Sequence, residues 1–279
     1  MDYMIYKCIK MRFATPKQIS ECQIEDEDYH IYMIVSKPQL LVVGGKENEN
    51  NVDDFIVKLK SGDEELTYHF DTSEFDEVAF KVNDNRLSLK LELTNKLGEN
   101  GNETIKAKNL YLRAMKNQEF NIEYIGKSFG KKGERTSEQR LKTHSTLQRI
   151  LADNEDAIEK KDIFIILLDI TPLVINTITD PEQLKIGEFL DDHSLYTSLI
   201  EAKLINYFKP EYNDKFVSGV VPSESHTSYN ELIKKIYCGY EIDFAINDSS
   251  LQKSYKLSTK TNSVTIVNGV PSQLVREKF

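Results

Sequence analysis

The sequence predicts an α+β protein: an all-β sandwich or barrel over residues 1–104, then a small three-stranded antiparallel sheet flanked by helices over 105–215. Three observations carry this expectation. The first hundred residues are short β-branched and aromatic runs separated by polar turns. Past about residue 105, strand-like runs alternate with helix-length amphipathic segments. With 39% apolar and 29% charged residues in a chain of 279, there is enough apolar material for a sizeable core.

The individual elements follow from the same patterns. Strands are expected at YMIYKCIKMRF, YHIYMIV, QLLVVGG, DFIVKLK, LTYHFDT, EVAFKV and RLSLKLEL. Phe80 and Val82, then Leu87, Leu89 and Leu91, alternate with polar neighbours as a half-buried strand requires. GGKENENN (44–51) reads as a polar loop and NKLGENGNET (95–104) as a linker between domains. NLYLRAM (109–115) and FNIEYIG (120–126) read as a hairpin joined by four polar residues, and DIFIILLDI as a third strand. A helix over 136–153 opens on a capping box of Thr136 and Gln139. A second helix, 195–208, is stopped by Pro210. Residues 216–279 form an extension, with TSYNELIKKIYCGY helical and YKLSTKTNSVTIVNG a hairpin, and their domain membership is open.

Charge is distributed unevenly. The net charge is −9, but residues 1–105 hold 21 acidic against 12 basic side chains, whereas 106–215 hold 18 against 17. Residues 125–150 carry Lys127, Lys131, Lys132, Arg135, Arg140, Lys142 and Arg149 against only Glu134 and Glu138. That local excess suits a phosphate-binding face, with a solvated helix face as the alternative. The acidic first part is a poor match for nucleic acid and points to a protein partner, oligomerisation or regulation. No apolar run approaches the roughly 18 residues of a membrane helix, and MDYMIYKCIK lacks the pattern of a secretory signal. Three widely spaced cysteines, Cys8, Cys22 and Cys238, show no paired motif, so a cytoplasmic protein is expected.

Polar residues interrupt both helical stripes. Leu147 and Leu151 continue backwards at helical spacing through His144 to Arg140, and Leu204, Ile205 and Phe208 continue to Glu201. An ionised group placed on a core face must be paired, hold a metal or border a cleft. Arg140 and Glu201 pairing with each other is the simplest account; a shared catalytic cleft is the other.

Residues 121–128, NIEYIGKS, come close to a P-loop, whose glycine-rich backbone wraps phosphate. Gly126, Lys127 and Ser128 fit, but the position that needs the first glycine holds Asn121. A different series accommodates the same residues. Tyr111, then Tyr124-Ile125-Gly126-Lys127, then Arg140 with His144 four residues on, then EAKLINYFKPEYN from Glu201 to Asn213, occur in that order. The series resembles the GIY-YIG nuclease superfamily over about 105–215. It departs from the family in reading Asn-Leu-Tyr at the first motif and in its longer intervals.

The resemblance implies a phosphodiester hydrolase. Glu201 would hold one Mg²⁺ or Mn²⁺, hard cations that suit a carboxylate and water. Arg140 would grip the scissile phosphate through its fork of donors. Tyr111 would position or deprotonate the attacking water, with Lys127 nearby to help a phenol whose ordinary pKa is about 10. His144 and Tyr124 would hold phosphate or order water, and Asn213 would support the end of the Glu201 helix or a metal-bound water. Lys127, Lys131, Lys132, Arg135 and Lys142 would meet the nucleic-acid backbone. The implied substrate is DNA ahead of RNA, and the implied setting is restriction or anti-phage defence. The alternative is a degenerate module that binds nucleic acid or a protein without cutting.

Overall fold

A computed structural model describes residues 3–21, 29–113, 118–127, 141, 144–175, 193–219, 239–244, 254–267 and 272–278. In chain order the elements are β1 (Tyr3–Ala14), α1 (Pro16–Glu21), β2 (Ile31–Pro38), β3 (Leu40–Asn48), β4 (Asn51–Ser61), β5 (Glu64–Asp71), β6 (Phe75–Val82), β7 (Ser88–Asn95) and β8 (Asn100–Lys106). There follow α2 (Ala107–Arg113), β9 (Gln118–Lys127), α3 (Ser145–Asp156), β10 (Lys161–Ile175), α4 (His193–Phe208), β11 (Gly239–Phe244), β12 (Ser254–Ser258), β13 (Ser263–Val267) and β14 (Ser272–Lys278). The chain is therefore mixed α and β with strands predominating. Among the described residues no helix is long and apolar enough to cross a membrane.

Two compact units divide the chain: Met1–Ser36, Asn117–Asp153 and Ile163–Phe279 form the first, Lys37–Lys116 and Asn154–Asp162 the second. This differs from the division expected at 104 and 215. The first unit is built on one eight-stranded sheet in the order β13-β12-β9-β2-β10-β1-β11-β14. β2 with β9, β1 with β10, β12 with β13 and β11 with β14 are antiparallel, whereas β1 with β11 and β12 with β9 are parallel. In place of the small three-stranded antiparallel sheet, the sequence thus builds a larger mixed one, because β1, β2 and the C-terminal strands join it.

The central strands read as continuous apolar runs because both of their faces are covered. Ile31 through Val35 on β2 and Ile163 through Leu168 on β10 are all buried. Ile163, Ile165 and Leu167 join a core with Tyr32, Ile34, Ala14 and Ile19, closed by Leu147 and Ile150 of α3. The intervening Phe164 meets the ring of Phe120 on β9 edge to face, with centroids 5.6 Å apart. Each such aliphatic or aromatic side chain contributes about 1.5–3 kcal/mol by leaving water.

α4 lies where the sequence predicts and packs against β9. Leu199, Ile200, Ala202, Leu204, Ile205 and Phe208 are buried, so most of its circumference is covered. It ends at Lys209, which adopts a left-handed φ of 52° and donates its N–H to Ile205 O at 2.7 Å, just before Pro210. Helix-terminal carbonyls need outside donors. Asn262 Nδ2 reaches Tyr207 O at 2.7 Å and Thr259 Oγ1 reaches Phe208 O at 2.5 Å. The hairpin expected near the C-terminus is present as β12 and β13, and its turn caps the helix that carries Glu201.

The second unit holds two three-stranded antiparallel sheets, β3-β4-β5 and β6-β7-β8. They meet through Phe55 and Phe80, whose centroids lie 4.9 Å apart. The all-β character expected of the early chain holds here, although β1 and β2 belong to the other sheet. Two segments read as connections are hairpins: 44–51 holds the end of β3 and the start of β4, and 95–104 joins β7 to β8 through a turn at Gly98, φ 78°. The strand expected over 109–115 is not formed: its residues 109–113 belong to α2. Ala107 and Leu110 are buried one turn apart, and a short run of good helix formers follows that spacing more readily than a period of two. The expected helix at TSYNELIKKIYC lies outside the described residues, and the Gly239-Tyr240 that ends that segment opens β11.

Candidate active site

β9 pairs with β2 along one edge, but on the other edge β12 reaches only Gln118 to Asn121. Further along, the backbone groups of Glu123, Ile125 and Lys127 face outward with no strand to pair with among the described residues. Buried backbone groups left unpaired are costly, so other partners must supply their bonds. Glu123 O accepts from Tyr212 N at 3.1 Å. Ile125 N donates to Asn213 Oδ1 and Ile125 O accepts from Asn213 Nδ2, both at 2.9 Å. Lys127 N donates to Glu201 Oε1 at 3.0 Å. α4 and the turn after it thus stand in for the missing strand. This explains a carboxylate on the otherwise apolar face of α4.

The second oxygen of Glu201 faces a charge. Lys127 Nζ lies 3.6 Å from Glu201 Oε2 and donates to Ser198 Oγ, one turn earlier on the same helix. The pair is only partly shielded, with the Lys127 side chain 31% and the Glu201 side chain 15% exposed. Among the described residues the cation facing Glu201 is Lys127. Arg140, the other expected partner, lies outside the described residues.

A second cluster, of two tyrosines and a histidine, is anchored on β9 and β2 at Tyr124 and Tyr32. His144 precedes α3 and caps it: Leu147 N donates to His144 Nδ1 at 3.2 Å. A ring nitrogen that accepts a hydrogen bond carries no proton, so the neutral imidazole bears its proton on Nε2. Nε2 is 2.9 Å from Tyr32 Oη, and the tautomer makes His144 the donor and the phenol oxygen the acceptor. The Tyr124 ring lies against the same imidazole, with centroids 5.1 Å apart.

Gly126 joins the two clusters. Tyr32 is its register partner on β2, and a β-carbon at 126 would stand 2.6 Å from Tyr32 Oη and 2.7 Å from Tyr124 Cε1. Only glycine lets the phenol lie over the strand at the residue before Lys127.

Of the residues the sequence singles out, Tyr124, Lys127, His144, Glu201 and Asn213 gather around the C-terminal end of β9. Both ends of the Asn213 amide bind Ile125, so it positions the strand. Tyr111 sits on α2, in the second unit, and not on the strand paired with β9. The tyrosine in that place is Tyr32, within His30-Ile31-Tyr32, a run read only as an ordinary strand. Its Ile-Tyr pair was the available signal, hidden because 79 residues separate β2 from its partner β9. Arg140, Lys131, Lys132, Arg135, Lys142 and the capping box at Thr136 and Gln139 lie outside the described residues.

Among the described residues no group of three or more His, Cys, Asp or Glu side chains could hold a metal. Among the described residues the donor set at Glu201 is one partly exposed carboxylate, with one oxygen bound to the Lys127 N–H and the other facing the Lys127 ammonium. It fits Mg²⁺ or Mn²⁺, which bind through one or two carboxylates and keep water in the remaining positions. No protein-family model, curated protein or solved structure matches the chain.

Proposed function

We propose that the chain is an endonuclease that hydrolyses phosphodiester bonds in nucleic acid, DNA ahead of RNA, with its active site at the C-terminal end of β9. Support comes from one observation above all: two tyrosines, a histidine, a lysine and a carboxylate meet around the Gly126-Lys127 peptide. Restriction or anti-phage defence is the proposed setting, by analogy with the superfamily the sequence resembles.

Tyr32 takes the role first assigned to Tyr111. Its own proton is first lost to solvent, and the phenolate oxygen then positions the attacking water and accepts a proton from it. His144 Nε2–H, aimed at Oη, stabilises the negative charge that develops there, and the Leu147 N–H bond holds the imidazole in that tautomer. Tyr124 fixes the imidazole plane. Lys127 offers an ammonium to a phosphate oxygen. Glu201 would hold the divalent cation, which when bound supplies Lewis-acid stabilisation of the leaving oxygen. Arg140 is assigned to the scissile phosphate, and Lys131, Lys132, Arg135 and Lys142 to the flanking backbone. The second unit carries 19 acidic against 14 basic side chains and is assigned to a protein partner or a second copy of the chain, since nucleic acid would be repelled.

The test is nicking of supercoiled plasmid by the purified full chain in Mg²⁺ or Mn²⁺. Cleavage that stops with EDTA is the expected result. Salt-dependent binding with no cleavage in either metal would contradict the enzyme and favour the non-cutting module.

A further inference from the structure

Lys127 faces two partners on one helix. Its ammonium is 3.6 Å from Glu201 Oε2, a loose ion pair, and donates directly to Ser198 Oγ. Ser198 and Glu201 are three residues apart on α4, so they present adjacent groups to the same ammonium. Of the two, Glu201 is the group that a divalent cation would also take. An ammonium and a cation of charge two near one carboxylate repel each other, and a lysine that is 31% exposed can relieve that repulsion by swinging into water. The Ser198 hydroxyl opposes this escape, because its hydrogen bond does not depend on the charge of Glu201.

We propose that Ser198 is a positioning residue: it tethers the Lys127 ammonium inside the site when Glu201 takes a divalent cation, at the expense of cation affinity. This rests on Glu201 holding the cation. The tether makes an unusual demand. Losing it weakens catalysis, because Lys127 is no longer kept beside the phosphate, yet it tightens the metal, because the competing charge can leave. A Ser198 that merely supports the fold would loosen both.

The experiment is Mn²⁺ titration of the full chain without nucleic acid, followed by electron paramagnetic resonance of free Mn²⁺, alongside cleavage rates. Ser198→Ala is expected to bind Mn²⁺ about two- to fivefold more tightly, the scale of a partly exposed charge interaction, and to lower kcat. Ser198→Thr, which keeps the hydroxyl, is expected to match the wild type. Lys127→Met is expected to tighten Mn²⁺ as well and to cancel the effect of Ser198→Ala, since the tether then has nothing to hold. Unchanged or weaker Mn²⁺ binding in Ser198→Ala, or the same change in the Lys127→Met background, overturns the tether while Glu201 keeps its role. If Glu201→Gln binds Mn²⁺ as well as the wild type, the metal assignment itself fails, and the tether with it.

Discussion

The phenol of Tyr32 lies over Gly126 so closely that a β-carbon there would stand 2.6 Å from Tyr32 Oη. Contact of this kind ties a backbone position on β9 to a side chain on β2. It also places the Tyr32–His144 hydrogen bond beside the peptide whose N–H binds Glu201. Gly126→Ala must displace the ring or the strand, and overpacking of a buried site costs about 1–3 kcal/mol. A lower urea midpoint with an unchanged m-value is expected. An unchanged midpoint would mean that the ring moves aside freely.

Tyr32 and Tyr111 make opposite predictions under the proposed chemistry. Tyr32→Phe removes the oxygen that His144 Nε2 faces at 2.9 Å, and cleavage should fall roughly 10²-fold or more, the scale of a lost proton-transfer group. Tyr111→Phe, on α2, should cleave like the wild type. Initial nicking rates on one plasmid substrate compare the two directly, and equal losses would return the role to Tyr111.

Asn213 completes β9 in place of a strand. Asn213→Ala leaves the N–H and the carbonyl of Ile125 without their 2.9 Å partners, at roughly 1–3 kcal/mol for each group that stays dry. Asn213→Asp keeps the acceptor for Ile125 N and loses only the donor, so its denaturation midpoint should fall between alanine and wild type. If alanine is as stable as wild type, water has replaced the amide.

Asp162 sets a pH dependence in the second unit. Burial pushes its carboxyl above the ordinary range, against the hydrogen bond from Leu40 N at 2.8 Å and the nearby Lys108, which both favour the charge. A carboxyl that holds its proton more tightly folded than unfolded makes the native state lose stability as pH rises through the interval between the two pKa values. Above that interval the loss is complete, and below it the loss is absent. Asp162→Asn keeps an acceptor for Leu40 N and removes the charge. Its melting temperature should exceed that of the wild type at pH 7, with the gain vanishing in acid. A gain that persists unchanged at low pH would contradict the burial account.

The sequence made some of this legible and concealed the rest for physical reasons. The period-2 runs of β6 and β7, the buried run of β10, the α4 helix and the terminal hairpin all follow local patterns, and local patterns are what a sequence displays. Glu201, Lys127 and His144 stood out because charge interrupts an apolar stripe or a glycine-bearing strand. The partner of β9 was hidden: antiparallel neighbours are sought a few residues apart, whereas β2 and β9 are separated by a whole second unit. The same insertion made α2, with its tyrosine, look like the missing strand. The partners of Asn213 and Ser198 depend on where β9 ends its pairing with β12, which no spacing encodes.

The central claim is that Glu201 serves chemistry at the end of β9 in addition to capping Lys127 N. Glu201→Gln separates these two functions, since the amide oxygen still accepts the 3.0 Å bond from Lys127 N while the charge is gone. The deciding measurement is the rate of Mg²⁺-dependent plasmid nicking by Glu201→Gln, with its circular dichroism and melting temperature recorded on the same preparation. The account predicts a folded protein whose nicking is reduced roughly 10³-fold or more, a loss on the scale of transition-state charge stabilisation. Nicking at the wild-type rate by the folded variant would contradict it.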